Sequence, residues 1–179
     1  MTDDPTRLDT LLDDRLVAAA RRVIEAHGKA GTTIALAESC TGGLVTAALT
    51  EVPGASQVLL ASVIPYSNEA KIALLGVGRD IIDTFGAVSE AAAWAMAQGV
   101  LNRSQADVAV AITGVAGPDG GTVKKPVGLV IFGRAHKAMG ASEAEVCVET
   151  RRFTDNGRAG VRLQAALCAL ELLMPTGEP

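Results

Sequence analysis

The chain has 179 residues, of which 49% are hydrophobic and 20% charged, with a net charge of −4; this suits one domain with a substantial core and argues against extensive disorder. Aromatic residues amount to 3% and no basic run is longer than two residues, so the stacking platforms and phosphate-neutralising surface of a nucleic-acid binder are missing. The expected partner is a small molecule, with no nucleic acid and no membrane.

Cys40, Cys147 and Cys168 are widely spaced, and neither His27 nor His136 has a second histidine or a cysteine at ligand spacing. This argues against a catalytic zinc and a histidine triad, and neither metal nor cofactor is expected. The cysteines read as buried small hydrophobes of a reducing compartment. Residues 1–14 are acidic and lack an apolar core, unlike a signal peptide or membrane anchor. The expected location is the cytoplasm.

In chain order, residues 1–10 read as a flexible N-terminus, 11–174 as the domain and 175–179 as a tail. A first helix is predicted over 11–27, where Leu12, Leu16, Ala19, Ala20, Val23 and Ile24 recur at helical spacing, with Gly28 and Gly31 ending it. A short strand at 32–36 runs into a turn at 38–43 and a helix to 51, which Val52-Pro53-Gly54 stops. The β-rich run 58–64 is the next strand, and after Pro65-Tyr66 the cap Ser67 opens a helix over 68–75 with Glu69 in its first turn.

Helices follow at 79–85 and, after Gly86-Ala87-Val88 and the cap Ser89, at 90–102. The latter carries Trp94, Met96 and Val100 and is rich in alanine, a face that could pack closely on a second copy and make a homo-oligomer. A strand at 107–112 leads into the glycine-dense loop 113–121. Strands at 127–133 and 145–151 are expected to be antiparallel neighbours, and a last helix over 158–174, apolar nearly all round, should be largely buried. The fold class is α/β, a single-domain three-layer α/β/α sandwich with a mixed, mostly parallel sheet.

Three strand ends carry polar, glycine-flanked turns: Ser39 to Gly43, Tyr66 to Lys71, and Thr113 to Gly121. If the strands are neighbours, these turns line one crevice at their carboxyl ends. Ser39 then reads as a nucleophile or anion contact, with the N–H groups of Cys40 and Thr41 at the helix start receiving negative charge, or alternatively as a helix cap. With no histidine available, a lysine held neutral by burial and by the positive helix end is a possible base. Lys71 is the candidate, against the alternative of a solvated helix lysine. Tyr66 reads equally as a core-edge aromatic, and Thr113 with Gly114, Gly117 and Gly120 as a ligand-approach loop or a tight crossover. Arg158 and Arg162, four apart, are a phosphate clamp or a surface pair; Arg103, Lys124 and Lys125 read as solvated charge.

Taken together, Ala37-Glu38-Ser39-Cys40-Thr41-Gly42-Gly43, Tyr66-Ser67-Asn68-Glu69-Ala70-Lys71, Gly86-Ala87-Val88-Ser89-Glu90, Thr113-Gly114-Val115-Ala116-Gly117-Pro118-Asp119-Gly120-Gly121 and Lys125-Pro126-Val127-Gly128 resemble the CinA C-terminal-domain family, which includes bacterial nicotinamide mononucleotide (NMN) deamidases. The resemblance covers about residues 12–174. It implies a metal-free serine amidohydrolase of Ser/Lys type, converting the carboxamide of NMN to nicotinic acid mononucleotide and ammonia in pyridine-nucleotide salvage. Ser39 matches the nucleophile and Lys71 the general base, while Tyr66 and Thr113 match residues that assist the dyad and position substrate. Cys40, Thr41, Gly42, Gly43, Gly114, Gly117 and Gly120 fall in the substrate-contacting turns. Phe153 and Arg158 are nearest to the family's closing segment, with Arg158 as its phosphate or site arginine. Pro65 stands before Tyr66 where an ordinary strand residue is expected. A nucleotide-binding module that keeps the pocket but turns over little is the reading of another class.

Overall fold

A computed structural model describes residues 10–137, 144–154 and 156–175. Most of the expected N-terminal segment and tail lies outside these residues. The first helix, α1 (Asp14–Ala30), starts three residues later than predicted because Asp13 caps it by accepting the Arg15 N–H, and it runs through Gly28 to Gly31, whose φ of 65° closes the left-handed C-cap. Strand β1 (Ile34–Glu38) is buried along its whole length. Then come α2 (Leu44–Thr50), a one-turn helix α3 (Ala55–Val58) that hydrophobic spacing did not reveal, and β2 (Leu59–Val63).

The predicted helices at 68–75 and 79–85 are α4 (Asn68–Leu75) and α5 (Arg79–Phe85), and α6 (Glu90–Ser104) runs two residues past its expected end. Ser67 and Ser89 cap α4 and α6 by accepting the Ala70 and Ala92 N–H groups. The remaining elements are β3 (Val108–Gly114), β4 (Leu129–His136), β5 (Glu145–Arg152) and α7 (Gly157–Leu173).

The five strands form one sheet in the order β2-β1-β3-β4-β5, parallel across β2, β1 and β3 and antiparallel across β3, β4 and β5. The expected antiparallel pairing of the last two strands is present. Helices cover both faces. On one, α1, α2 and α7 close over Ile34, Leu36, Val110, Ile112 and Phe132; on the other, α6 lies against the sheet over Ala35, Ala109, Ala111 and Ala135, with α4 and α5 beside it. The consequence for function is that β2, β1 and β3 bring their carboxyl ends to one edge.

Ala92, Ala93 and Ala97 of α6 are buried against the chain's own sheet. Two expectations change. Cys147 is exposed on the edge strand β5, whereas Cys40 and Cys168 are buried. In α7 the burial is one-sided: Val161, Ala165, Ala169 and Leu173 are buried, while Leu163, Leu167 and Leu172 are only partly so.

The α6–β4 contact is close because both sides are small. A methyl group on Gly133 would stand 2.4 Å from the Ala93 carbonyl oxygen. Gly133→Ala should therefore destabilise the fold by about 1–3 kcal/mol, the usual cost of overpacking, read as a lowered urea midpoint with unchanged slope; an unchanged midpoint would show that the helix can move away freely.

Candidate active site

Ser39 stands one residue beyond β1, where its N–H still pairs with Ile112 O of β3 at 3.0 Å. The chain then turns sharply. Gly42 and Gly43 take φ of 62° and 90°, a region that penalises any side chain, and Gly43 is the N-cap of α2. Gly43 has no side chain to cap the helix, and Glu38 does that work. The Glu38 carboxylate, fully buried, accepts the N–H groups of Gly43 (3.1 Å), Val45 (3.1 Å) and Thr46 (2.8 Å) and the Thr46 hydroxyl (2.6 Å). Thr46 Oγ1 continues to Ser62 Oγ on β2 at 2.5 Å.

This corrects the expected anion site. Helix α2 begins at Leu44 rather than at Cys40, and its first donors are already satisfied by Glu38. Gly43 donates to Glu38 and Gly42 to Ser39 O at 3.1 Å, so neither N–H is open to a ligand. The N–H groups of Cys40 and Thr41 have no backbone acceptor among the described residues. Sequence reasoning missed Glu38. The signal was a glycine N-cap without a first-turn acid, which leaves buried helix donors that something must satisfy.

Lys71 reaches Ser39 from the neighbouring strand end. Capped at Ser67, α4 places Lys71 in its first turn and buries it to 2% exposure. Nζ lies 3.2 Å from Ser39 Oγ, 2.9 Å from Pro65 O and 3.5 Å from Tyr66 O. No carboxylate forms an ion pair with it among the described residues. Burial pushes its ammonium below the usual lysine value, with the Cys40 sulfur pulling the other way. Desolvation, not a helix end, is thus the cause of the shift, because Glu38 already occupies the start of α2. Two carbonyls accept from the amine, which leaves its third tetrahedral direction for Ser39. In the neutral form that direction is a lone pair. The adjacent Cys40 thiol is pushed up to about 12, first by burial and also by the Glu38 charge, against the pull of its own and Thr41's N–H groups and of Lys71.

Ser39, Cys40, Lys71, Tyr66, Thr113, Gly114 and Arg158 line a pocket of about 240 Å³, together with Asn68, Ala87, Val88 and Ala116. Thr113 is buried and donates its hydroxyl to Ala87 O at 2.7 Å, fixing the far wall. Tyr66 is 59% exposed, and its hydroxyl accepts from Arg158 Nη2 at 2.8 Å; it meets Lys71 through its backbone carbonyl instead. Pro65 likewise contributes a carbonyl. Arg158, at the start of α7, also donates from Nη1 to Gly117 O at 2.9 Å, so Gly117 supports the arginine without lining the pocket. Gly120 is exposed and lies off the pocket, and Thr41, Gly42 and Gly43 form the turn behind it.

Several charges read as solvated or paired are tied down. Arg162 donates from Nη2 to Thr41 O at 2.7 Å and does not share the pocket with Arg158, so the two are no clamp. Arg103 Nη1 donates to Leu75 O at 2.7 Å and Lys125 Nζ to Phe85 O at 2.6 Å. Asn68, at the first position of α4, lines the pocket and went unassigned in the sequence; its place beside the Ser67 cap was the available signal. Among the described residues no group of three or more His, Cys, Asp or Glu could hold a metal ion, and no helix is long and apolar enough to cross a membrane.

A mixed sheet with a serine and a buried lysine at the adjoining ends of its parallel strands defines the class, and the family model agrees. Residues 17–176 match the CinA C-terminal domain, and the chain belongs to that family. It is 44% identical over 161 residues to a CinA-like protein of Gloeobacter violaceus, covering 90% of this chain and 36% of that one. A CinA-like protein of Mycobacterium avium is 50% identical over 144 residues, covering 80% and 33%. The chain thus spans about a third of the length of these curated relatives.

Among solved structures, the competence/damage inducible protein CihA from Agrobacterium tumefaciens superposes with a TM-score of 0.85 at 43% identity, covering 92% of this chain and 96% of that one. The CinA superfamily protein ECK1530/EC0983 from Escherichia coli gives 0.81 at 28% identity, covering 97% of each.

Removing the Glu38 carboxylate would leave three backbone donors at the start of α2 without their acceptor. Glu38→Ala should cost about 3 kcal/mol or more, given ~1–3 kcal/mol for each buried group left unsatisfied. Denaturant unfolding checks this, and a loss under ~0.5 kcal/mol would mean that water replaces the carboxylate.

Proposed function

We propose that this chain is a serine amidohydrolase that hydrolyses the carboxamide of NMN to nicotinic acid mononucleotide and ammonia, with Ser39 as nucleophile and Lys71 as general base. The observation that carries the reading is the 3.2 Å approach of a buried lysine amine, without an ion pair among the described residues, to a serine hydroxyl, both lining one pocket. A charged lysine finds hydrogen-bond acceptors here but no counter-charge among the described residues, whereas a neutral one has its lone pair where a serine proton leaves. The five motifs shared with the family support NMN as the amide.

In the first step Lys71 takes the Ser39 proton as Oγ bonds to the carboxamide carbon. The carbonyl oxygen gathers negative charge, and the N–H groups of Cys40 and Thr41, which have no backbone acceptor among the described residues, are the donors closest to hand for it. Lys71, now an ammonium held by Pro65 O and Tyr66 O, returns the proton to the amide nitrogen, the C–N bond breaks, and ammonia departs from an acyl-Ser39. Water then gives a proton to Lys71 and its oxygen to the acyl carbon, and Lys71 passes that proton to Ser39 Oγ as the ester bond breaks, releasing the acid and restoring both Ser39 and the neutral amine. At the mouth, Arg158 presents positive charge to the substrate phosphate, and the Tyr66 hydroxyl and Gly117 carbonyl hold the guanidinium in place.

Ammonia release from NMN in chelator-containing buffer tests the reading. The parent should turn over, and Ser39→Ala and Lys71→Ala should each lose about 10³-fold or more in kcat, as loss of a nucleophile or its base does. A parent that binds NMN and releases no ammonia is a binding module instead.

The lysine also fixes the pH behaviour. Activity should rise with pH along a limb centred below the 10.5 of an ordinary lysine. Stability follows the same sign: between the lowered folded value and 10.5 the unfolded chain binds more protons, so stability increases as pH rises through that window. At neutral pH Lys71→Met should abolish turnover yet raise Tm by roughly 2–4 °C, the shift that ~1 kcal/mol gives in a domain of this size. A fall in Tm would show that the amine stabilises the fold.

A further inference from the structure

We propose that Arg162 is a positioning residue of this site, acting through two peptide units to hold and polarise the Cys40 N–H as an oxyanion donor. The inference rests on the Ser39–Lys71 reading and extends it to a side chain that never enters the pocket. The connection is a continuous chain of hydrogen bonds. Arg162 Nη2 donates to Thr41 O at 2.7 Å. That carbonyl belongs to the peptide whose other end is the Gly42 N–H, and Gly42 donates to Ser39 O at 3.1 Å. The Ser39 carbonyl in turn shares its peptide with the Cys40 N–H. This group has no backbone acceptor among the described residues, and Cys40 lines the pocket beside Ser39.

A cation at one end of such a chain has a definite effect at the other. Each carbonyl that accepts a hydrogen bond draws electron density from its own N–H, and successive bonds reinforce one another in a low-dielectric interior. Arg162 has no carboxylate ion pair among the described residues, so its charge is not spent elsewhere. Thr41 is fully buried, and Gly42 needs its φ of 62° to turn both peptide units into line. The turn is also held at its start, where the Ser39 N–H pairs with Ile112 O at 3.0 Å. The guanidinium therefore acts on a turn that is rigid at both ends.

This separates the two arginines of α7. Arg158 lines the pocket and meets substrate; Arg162 braces the turn from behind. Because the oxyanion exists only on the way to and from the acyl-enzyme, loss of Arg162 should act on kcat and leave KM nearly unchanged.

The experiment compares Arg162→Met, Arg162→Lys and Arg162→Ala with the parent, both in NMN turnover and in sulfonylation of Ser39 by phenylmethylsulfonyl fluoride, read by mass spectrometry. The second readout needs no turnover of NMN. Expected are a loss of roughly 10- to 100-fold in kcat and in the labelling rate for Arg162→Met, the range typical of a lost charged or oxyanion-hole donor, and KM within about twofold. Arg162→Lys should retain more activity. Added guanidinium ion should recover at least about tenfold in folded Arg162→Ala, and the acid limb set by Lys71 should stay in place. A structural disturbance that pulled Ser39 from Lys71 would move that limb. Normal labelling and turnover in folded Arg162→Met overturn the relay alone, as does a loss that guanidinium leaves unrescued in both Arg162→Ala and a poorly active Arg162→Lys. A parent that neither labels at Ser39 nor releases ammonia overturns the dyad and the relay together.

Discussion

Burying an amine without a counter-charge is the constraint on which this structure turns. An ammonium taken out of water is costly unless it is paired, and the cheaper course is to lose the proton. Lys71 is 2% exposed and has two carbonyls and a serine hydroxyl around it, but no carboxylate paired with it among the described residues. The fold has to supply the stability that this arrangement gives up. It does so with a densely packed two-faced core, whose central strands β1 and β3 are alanine-rich on one side and branched on the other. Small residues let α6 lie close to the sheet, which in turn fixes the strand ends from which Ser39 and Thr113 project.

The site contains a second buried charge treated in the opposite way. Glu38 is as buried as Lys71, yet it accepts four hydrogen bonds and ties β1, α2 and, through Thr46 and Ser62, β2 into one unit. One charge is satisfied and stiffens the nucleophile turn. The other is left without a counter-charge among the described residues and becomes reactive. Stability and chemistry are thus divided between neighbouring residues rather than compromised in one, a division that active sites commonly need.

Much of the fold was legible because local signals agreed with the final packing. Ser67 and Ser89 announced α4 and α6, and short β-branched runs announced the strands whose ends meet. Where signals were short or duplicated, reading failed: α3 is a single turn, and Gly28 offered an earlier stop for α1 than the left-handed Gly31 that ends it. The site was legible as residue types but not as contacts. Ser39, Lys71 and Thr113 do come together, while the burial of Lys71 could not be told from spacing, since a solvated and a desolvated lysine occupy the same helical position.

Backbone groups are silent in a sequence, which is why the meeting of the Tyr66 carbonyl with the amine was not legible, and why Glu38 and Arg162, whose partners in the site are almost entirely main-chain atoms, were missed or misread.

The central claim is that Lys71 is a neutral amine at the pH where the site works. It is tested most directly by following the ¹³Cε resonance of Lys71 through a pH titration, assigned by comparison with Lys71→Met. The account predicts a midpoint clearly below 10.5, set apart from the surface lysines such as Lys29 and Lys124. A Lys71 that titrates together with them would mean that the buried amine stays charged and could not take the Ser39 proton.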